Sequence, residues 1–115
     1  MFVGFARLAV YPLLRDTLRV SSYHLYIIRV DQNKLEGRNL IFEKLRNNGI
    51  LVNIHYIPIY RHPYYENDYD KENFINSEKY YSDALSLPIY PGLSENQINE
   101  ICNIIIKKTN FQNLF

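Results

Sequence analysis

At residues 23–30 the sequence reads YHLYIIRV, a run rich in aromatic and β-branched side chains. Such residues favour extended backbone, and both alternating sets are largely apolar, which is typical of a strand covered on its two faces. Asp31 and Gln32 then interrupt the apolar run. We therefore predict a strand from Tyr23 to Val30, around which the neighbouring elements must pack.

A helix is predicted over residues 33–48, directly after this strand. Asn33 can cap its first turn, and Glu36 three positions later completes the pattern of a capping box. Gly49 can adopt the left-handed backbone conformation that ends many helices. The strand and the helix therefore follow each other with almost no linker.

Residues 50–57 read ILVNIHYI and predict a second strand. Pro58 should end it, because proline has no backbone N–H for a strand ladder. Nothing local distinguishes parallel from antiparallel pairing of the two strands. The polar and aromatic stretch 60–73 shows no period and predicts a long loop, which in a compact domain is often functional.

The last part of the chain carries the strongest helical pattern. Ser94 and Gln97 form a second capping box, which predicts a helix that continues to Lys108. Its apolar stripe consists of Ile98, Ile101, Cys102 and Ile105. A short helix over 77–84 and a strand over 85–89 precede it, and the flanking prolines favour a sheet edge for that strand. We expect the stripe to pack on the sheet.

Together these elements predict an α/β domain of the α+β type, with about three strands flanked by helices on one side. Residues 1–20 show no clean period and are expected to form an irregular lead-in to a domain that spans residues 21–115. The length of 115 residues, with 47% hydrophobic and 22% charged, is typical of one globular domain.

Charge, cysteine and histidine usage exclude several functional classes. Thirteen basic and twelve acidic residues give a net charge of +1 without a basic cluster, so we expect neither nucleic acid nor membrane as a partner. The three histidines lack metal-ligand spacing. Cys102 lies on the apolar stripe and is interpreted as a core residue, the alternative being a nucleophile. One cysteine, no apolar run near ~20 residues and no signal-peptide pattern predict a cytoplasmic protein.

Tyrosine is abundant, with 11 residues, several of them between Tyr60 and Tyr81. Aromatic side chains with a polar tip suit surfaces that a partner or ligand covers. Codon usage in a low-GC genome would enrich tyrosine in the same way, and we attribute most of the abundance to it.

Three segments resemble the C-terminal domain of the DegT/DnrJ/EryC1/StrS family of nucleotide-sugar aminotransferases. They are residues 22–26, 49–58 and 85–94, and the resemblance extends over 21–108, whereas the residues before Ser21 fit poorly. It is strongest to the UDP-amino-sugar transaminase of pseudaminic acid synthesis. The resemblance implies the small domain of a fold-type I enzyme that uses pyridoxal phosphate (PLP) to move an amino group from glutamate to a keto UDP-sugar in surface-glycan synthesis.

The same resemblance assigns the candidate substrate contacts. In this family a His-Tyr-x-Pro segment lies near the cleft between a small and a large domain, where the cofactor and the nucleotide sugar bind. The corresponding residues here are Asn53, Ile54, His55, Tyr56, Ile57 and Pro58. Judged from the sequence alone, the favoured interpretation of His55 is a partly exposed strand-end residue that bonds to backbone, and the resemblance reverses that preference.

The resemblance places the Schiff-base lysine in a large domain upstream of this sequence. The lysines present lie in helical or polar stretches, and none lies in an apolar run that would lower its pKa. We therefore expect no catalytic residue in this chain, no bound PLP and no activity of a C-terminal fragment alone. The alternative is a non-catalytic interaction module that associates with itself or with a separately encoded PLP domain.

Overall fold

The computed structural model of the chain describes residues 10–12, 17–31 and 37–107. Within them lie three strands and three α-helices. In chain order these are β1 (Val10–Pro12), β2 (Tyr26–Val30), α1 (Arg38–Asn47), α2 (Ile75–Asp83), β3 (Ala84–Leu87) and α3 (Glu95–Lys107). No helix in these described ranges is long and apolar enough to cross a membrane. The architecture confirms the predicted mixed fold with a small sheet.

The three strands form one antiparallel sheet in the order β1-β2-β3. Ile28 of β2 lies opposite both Pro12 and Leu85, so the first strand predicted from the sequence is the central strand of the sheet. β2 begins at Tyr26, later than predicted. Tyr23 has a φ of 55°, a left-handed conformation that is incompatible with a strand.

β1 corrects the expectation of an irregular lead-in before Ser21. Residues 10–12 pair with β2, with Val10 opposite Val30. A strand of three residues is too short to show an alternating pattern, and its pairing partner lies far along the chain. The pairing, which depends on tertiary structure, therefore left no local signal.

The predicted strand over 50–57 is wrong. The segment makes one isolated antiparallel bridge, in which Asn53 and Ser86 exchange backbone hydrogen bonds of 2.8 and 3.2 Å. The side-chain oxygen of Asn53 accepts the backbone N–H of Ile54 at 2.9 Å. This local bond competes with ladder formation, as asparagine side chains often do.

The helix ends follow the predicted chemistry where they are described. Gly49 has a φ of 77°, and its N–H donates to the carbonyl of Arg46 at 2.9 Å, which ends α1. At the start of α3 the Ser94 hydroxyl accepts the N–H of Gln97, whose side chain accepts the N–H of Ser94 at 2.9 Å. The predicted cap at Asn33 lies outside the described residues.

Apolar side chains form one core between the sheet, α1 and α3. Its buried members are Ile28, Val30, Ile41, Leu45, Val52, Leu85, Leu87, Ile101 and Ile105. Ile98 and Cys102 pack against this cluster, so the predicted α3 stripe faces the core. α2 spans 75–83 where 77–84 was predicted, and short 3₁₀ turns at 59–61 and 71–74 bracket the predicted loop.

Candidate functional site

His55 is held by two elements that the chain brings together from a distance. Its Nδ1 lies 2.8 Å from the hydroxyl oxygen of Ser86 in β3. Its backbone carbonyl accepts a hydrogen bond from the hydroxyl of Tyr80 in α2, at 3.3 Å. Both the ring and the backbone of His55 are therefore fixed against the β3 edge of the sheet.

The residues that follow His55 point large apolar groups outward. Tyr56 is 69% exposed and Ile57 is 51% exposed, although both are large side chains. The peptide bond between His55 and Tyr56 is cis, and the two rings meet edge to face with centroids 4.7 Å apart. An imidazole and a phenol therefore stand together at the surface, where a ligand can reach them.

The structure brings only part of the predicted site together. His55 and Tyr56 are in contact, while Asn53 is used in the bridge to β3 and its side chain bonds to local backbone. Ile54 and Pro58 are half-buried. The segment 53–58 is therefore an ordered rim in which Asn53, Tyr56 and Ile57 are exposed and His55 is half-exposed.

Sequence reasoning missed Ser86 and Tyr80, the two residues that hold His55. Ser86 interrupts the apolar run Leu85-Ser86-Leu87, and a hydroxyl inside a buried strand is a signal of an internal hydrogen bond. Tyr80 gave no comparable signal, because it lies in a helix rich in polar residues.

Two arginines lie over the ring of Tyr81. The guanidinium of Arg61 lies 5.1 Å from the ring centroid and that of Arg38 lies 5.5 Å from it. Arg61 also forms a bidentate ion pair with Glu78, with Nε 2.9 Å from Oε1. The hydrogen bonds from Arg61 lower the pKa of Glu78 to about 2.

The predicted loop 60–73 forms a surface cleft of about 660 Å³. Its lining residues are Tyr60, Arg61, Glu66, Asn67, Asp68, Tyr69, Asp70 and Lys71. Tyr60 and Phe74 stack with centroids 4.5 Å apart and planes at 11°, which ties the two ends of this stretch together. Part of the tyrosine enrichment thus has a structural use.

The three lysines whose side chains the structure describes do not fit a covalent PLP site. Lys71 and Lys79 are exposed, and Lys44 is half-buried on α1, so none of the three lies in the apolar surroundings that activate a lysine amine. Cys102 packs against the core, and burial raises the pKa of its thiol, which fits the predicted structural role. The described residues also contain no cluster of three metal-ligating side chains.

Comparison with known proteins identifies the family. The model of the DegT/DnrJ/EryC1/StrS aminotransferase family matches residues 4–106, and the chain belongs to this family. The match also includes residues before Ser21, although their sequence fits the family motifs poorly. Family members depend on PLP.

Three relatives illustrate the similarity. The UDP-4-amino-4,6-dideoxy-N-acetyl-beta-L-altrosamine transaminase of Helicobacter pylori is 33% identical over 98 residues, covering 85% of this chain and 25% of the relative. The structure of Spr1654 from Streptococcus pneumoniae in its PMP form, assigned as a sugar aminotransferase, has a TM-score of 0.81 at 34% identity and covers 92% of this chain and 27% of that one.

The third is PseC of Helicobacter pylori, an aminotransferase involved in the biosynthesis of pseudoaminic acid. Its TM-score is 0.70 at 30% identity, covering 91% of this chain and 29% of that one. The chain therefore shares the fold of these enzymes and spans about a quarter of the length of the relatives it matches.

Proposed function

We propose that this chain is the small C-terminal part of a PLP-dependent nucleotide-sugar aminotransferase, and that residues 53–58 form one wall of its substrate cleft. The reaction would transfer the amino group of glutamate to a keto UDP-sugar used in surface-glycan synthesis. Family membership and the similarity to a UDP-amino-sugar transaminase support this substrate class. The single cysteine fits the cytoplasmic location that the proposal includes.

The arrangement of His55 and Tyr56 is the observation that carries this proposal. A binding wall needs polar and apolar groups that are ordered yet uncovered, because ordering them on binding would cost affinity. His55 is fixed by Ser86 and Tyr80, and Tyr56 stands exposed beside it. These two rings can hydrogen-bond and stack on a sugar or a nucleotide without rearrangement.

In this proposal the amine that anchors PLP comes from the family's large domain. PLP supplies the electron sink for amino transfer when it is bound. Lys44, Lys71 and Lys79 of this chain are not placed to supply that amine. We accordingly assign residues 53–58 to binding and orientation of the substrate and assign no proton transfer to them.

A chimera tests the proposal. In it, this chain replaces the matching segment of the Helicobacter pylori UDP-amino-sugar transaminase, and amino transfer from glutamate to the keto UDP-sugar is followed by mass spectrometry. We expect the chimera to be active and Tyr56→Ala to raise its KM about tenfold, the effect of losing roughly 1.4 kcal/mol of binding.

Tyr64 supplies the matched control, because it is also an exposed tyrosine and lies outside residues 53–58. Tyr64→Ala should leave the kinetic constants of the chimera unchanged. Equal effects of the two substitutions, or a folded chimera without activity, would contradict a substrate wall at residues 53–58.

A second candidate is a non-catalytic interaction module. Large apolar side chains besides Tyr56 and Ile57 are exposed near the rim, namely Leu51 and Ile59, and such groups favour protein partners. The mass of the purified chain in solution separates the two candidates. Self-association that Tyr56→Ala or Leu51→Ala abolishes would support the module, whereas a monomer would favour the aminotransferase part.

A further inference from the structure

We propose that Ser86 is a positioning residue that orients the imidazole of His55, and that Tyr80 fixes the backbone of the same residue. Together they would direct Nε2 of His55 toward an oxygen atom of the nucleotide sugar. The ligand in this inference rests on the proposed function, while the Ser86–His55 contact is a property of the chain itself.

The backbone of Ser86 is bonded to a neighbouring segment, and its hydroxyl is directed at His55. It lies in β3 and is only 5% exposed. Its backbone N–H and carbonyl exchange hydrogen bonds with Asn53, two residues before His55. This bridge sets the distance between the two chain segments, and the hydroxyl then meets His55 Nδ1 at 2.8 Å. A buried hydroxyl without a hydrogen-bond partner is unfavourable, so burial of Ser86 stabilises its contact with His55.

Tyr80 completes the arrangement from α2. Burial raises the pKa of its hydroxyl, which therefore stays protonated and donates to the carbonyl of His55 at 3.3 Å. The ring and the main chain of His55 are thus held from two different elements. Two independent contacts restrict rotation about both the backbone and the side chain.

The orientation of the ring determines which nitrogen a ligand meets. When Nδ1 is engaged by Ser86, the nitrogen on the other side of the imidazole is Nε2, and the side chain is half-exposed. A serine hydroxyl can donate to Nδ1 or accept from it, so this contact fixes the direction of Nε2 in either tautomer. Ser86 would in this way control substrate recognition through His55 without touching the substrate.

NMR of the full chain with ¹⁵N-labelled imidazoles tests the contact directly. We expect the Nδ1 shift of His55 to be set apart from the averaged shifts of His24 and His62, both of which are exposed. Ser86→Ala should move the His55 signal to the averaged value, and Ser86→Thr should retain it.

An averaged Nδ1 shift for His55 in the unsubstituted chain would overturn the inference. An unchanged Nδ1 shift in folded Ser86→Ala would overturn it too. The spectrum of the unsubstituted chain decides alone if the alanine variant does not fold.

A double-mutant cycle in the chimera tests the consequence for binding. Ser86→Ala should lower kcat/KM roughly tenfold, the size expected when one hydrogen bond no longer orients the ring. On a His55→Ala background the same change should have less than a twofold effect, because Ser86 acts through His55.

Equal losses on both backgrounds would show a general structural role and would overturn the inference. Ser86→Thr, which keeps the hydroxyl, should restore most of the activity. An inactive parent chimera would count against the proposed function, and the NMR result would still decide whether Ser86 orients His55.

Discussion

Leu45 and Leu51 lie close together in the sequence but in opposite surroundings. Leu45, on α1, is 0% exposed inside the core, whereas Leu51, two residues before the rim, is 73% exposed. The core buries nearly all of its apolar surface between the sheet, α1 and α3. The rim leaves comparable side chains uncovered, so the molecule divides into a region that stabilises it and a region available for contact.

The two regions are also ordered by different forces. Apolar burial holds the core, and its strength follows the area removed from water. Specific polar contacts hold the rim, through the bridge from Asn53 to Ser86 and through the bonds of Ser86 and Tyr80 to His55. A rim that is ordered without being buried can present rings to a ligand at little entropic cost.

Alanine substitutions of the two leucines test this comparison, and they have the largest expected effect on the free energy of unfolding. Leu45→Ala should lower the free energy of unfolding by about 3 kcal/mol, because it removes buried methyl groups and leaves a cavity. Leu51→Ala should change it by less than about 0.5 kcal/mol. Urea denaturation followed by circular dichroism measures both, and similar losses for the two leucines would contradict the division.

The ion pair between Arg29 of β2 and Asp83 at the end of α2 should have the next largest effect. Its atoms are 2.9 Å apart, and the Asp83 side chain is largely buried. Asp83→Ala should lower the free energy of unfolding by about 2 kcal/mol, since it leaves the Arg29 guanidinium without this carboxylate. Asp68→Ala, at an exposed position, is the control in the same denaturation assay, and equal losses would argue against the buried pair.

Elements that depend on neighbouring residues were predictable from the sequence. The capping box of Ser94 and Gln97 and the left-handed Gly49 occur where the local pattern placed them. The α3 stripe faces the core because a 3.6-residue period fixes one face of a helix.

The cap of α3 provides a smaller test of the same local chemistry. Ser94→Ala removes the side-chain acceptor of the Gln97 N–H and should lower the free energy of unfolding by about 1 kcal/mol. Ser22→Ala, an exposed serine outside any helix, should have no measurable effect. Thermal melts of the two variants make the comparison, and an unchanged melting temperature for Ser94→Ala would exclude the cap as a stabilising feature.

The smallest expected effect concerns the ion pair of Arg61 and Glu78. Arg61 lowers the pKa of Glu78 from 4.5 to about 2 in the folded chain. The pair therefore stabilises the fold fully above pH 4.5, and this contribution is lost as the pH falls toward 2. Glu78→Gln should flatten the decline of stability between pH 5 and about 2.5 slightly, because exposed pairs are screened. Denaturation midpoints at several pH values measure it, and an identical decline would refute the pairing.

Features that depend on distant residues could not be predicted. β1 exists because Val10 pairs with Val30, and residues 50–57 fail to form a strand because Asn53 bonds locally and bridges Ser86 only once. The candidate contacts His55 and Tyr56 came from the family resemblance. Their supports, Ser86 and Tyr80, depend on tertiary packing and became visible only in three dimensions.

Amino transfer by the 115-residue chain, set beside that of the chimera, tests the central claim most directly. Each protein would be supplied with PLP, glutamate and the keto UDP-sugar, and the amino sugar would be quantified by mass spectrometry. We predict product from the chimera and none from the chain alone, because Lys44, Lys71 and Lys79 do not fit a PLP anchor. Turnover by the free chain would contradict the claim that this domain shapes the cleft while another domain holds the cofactor.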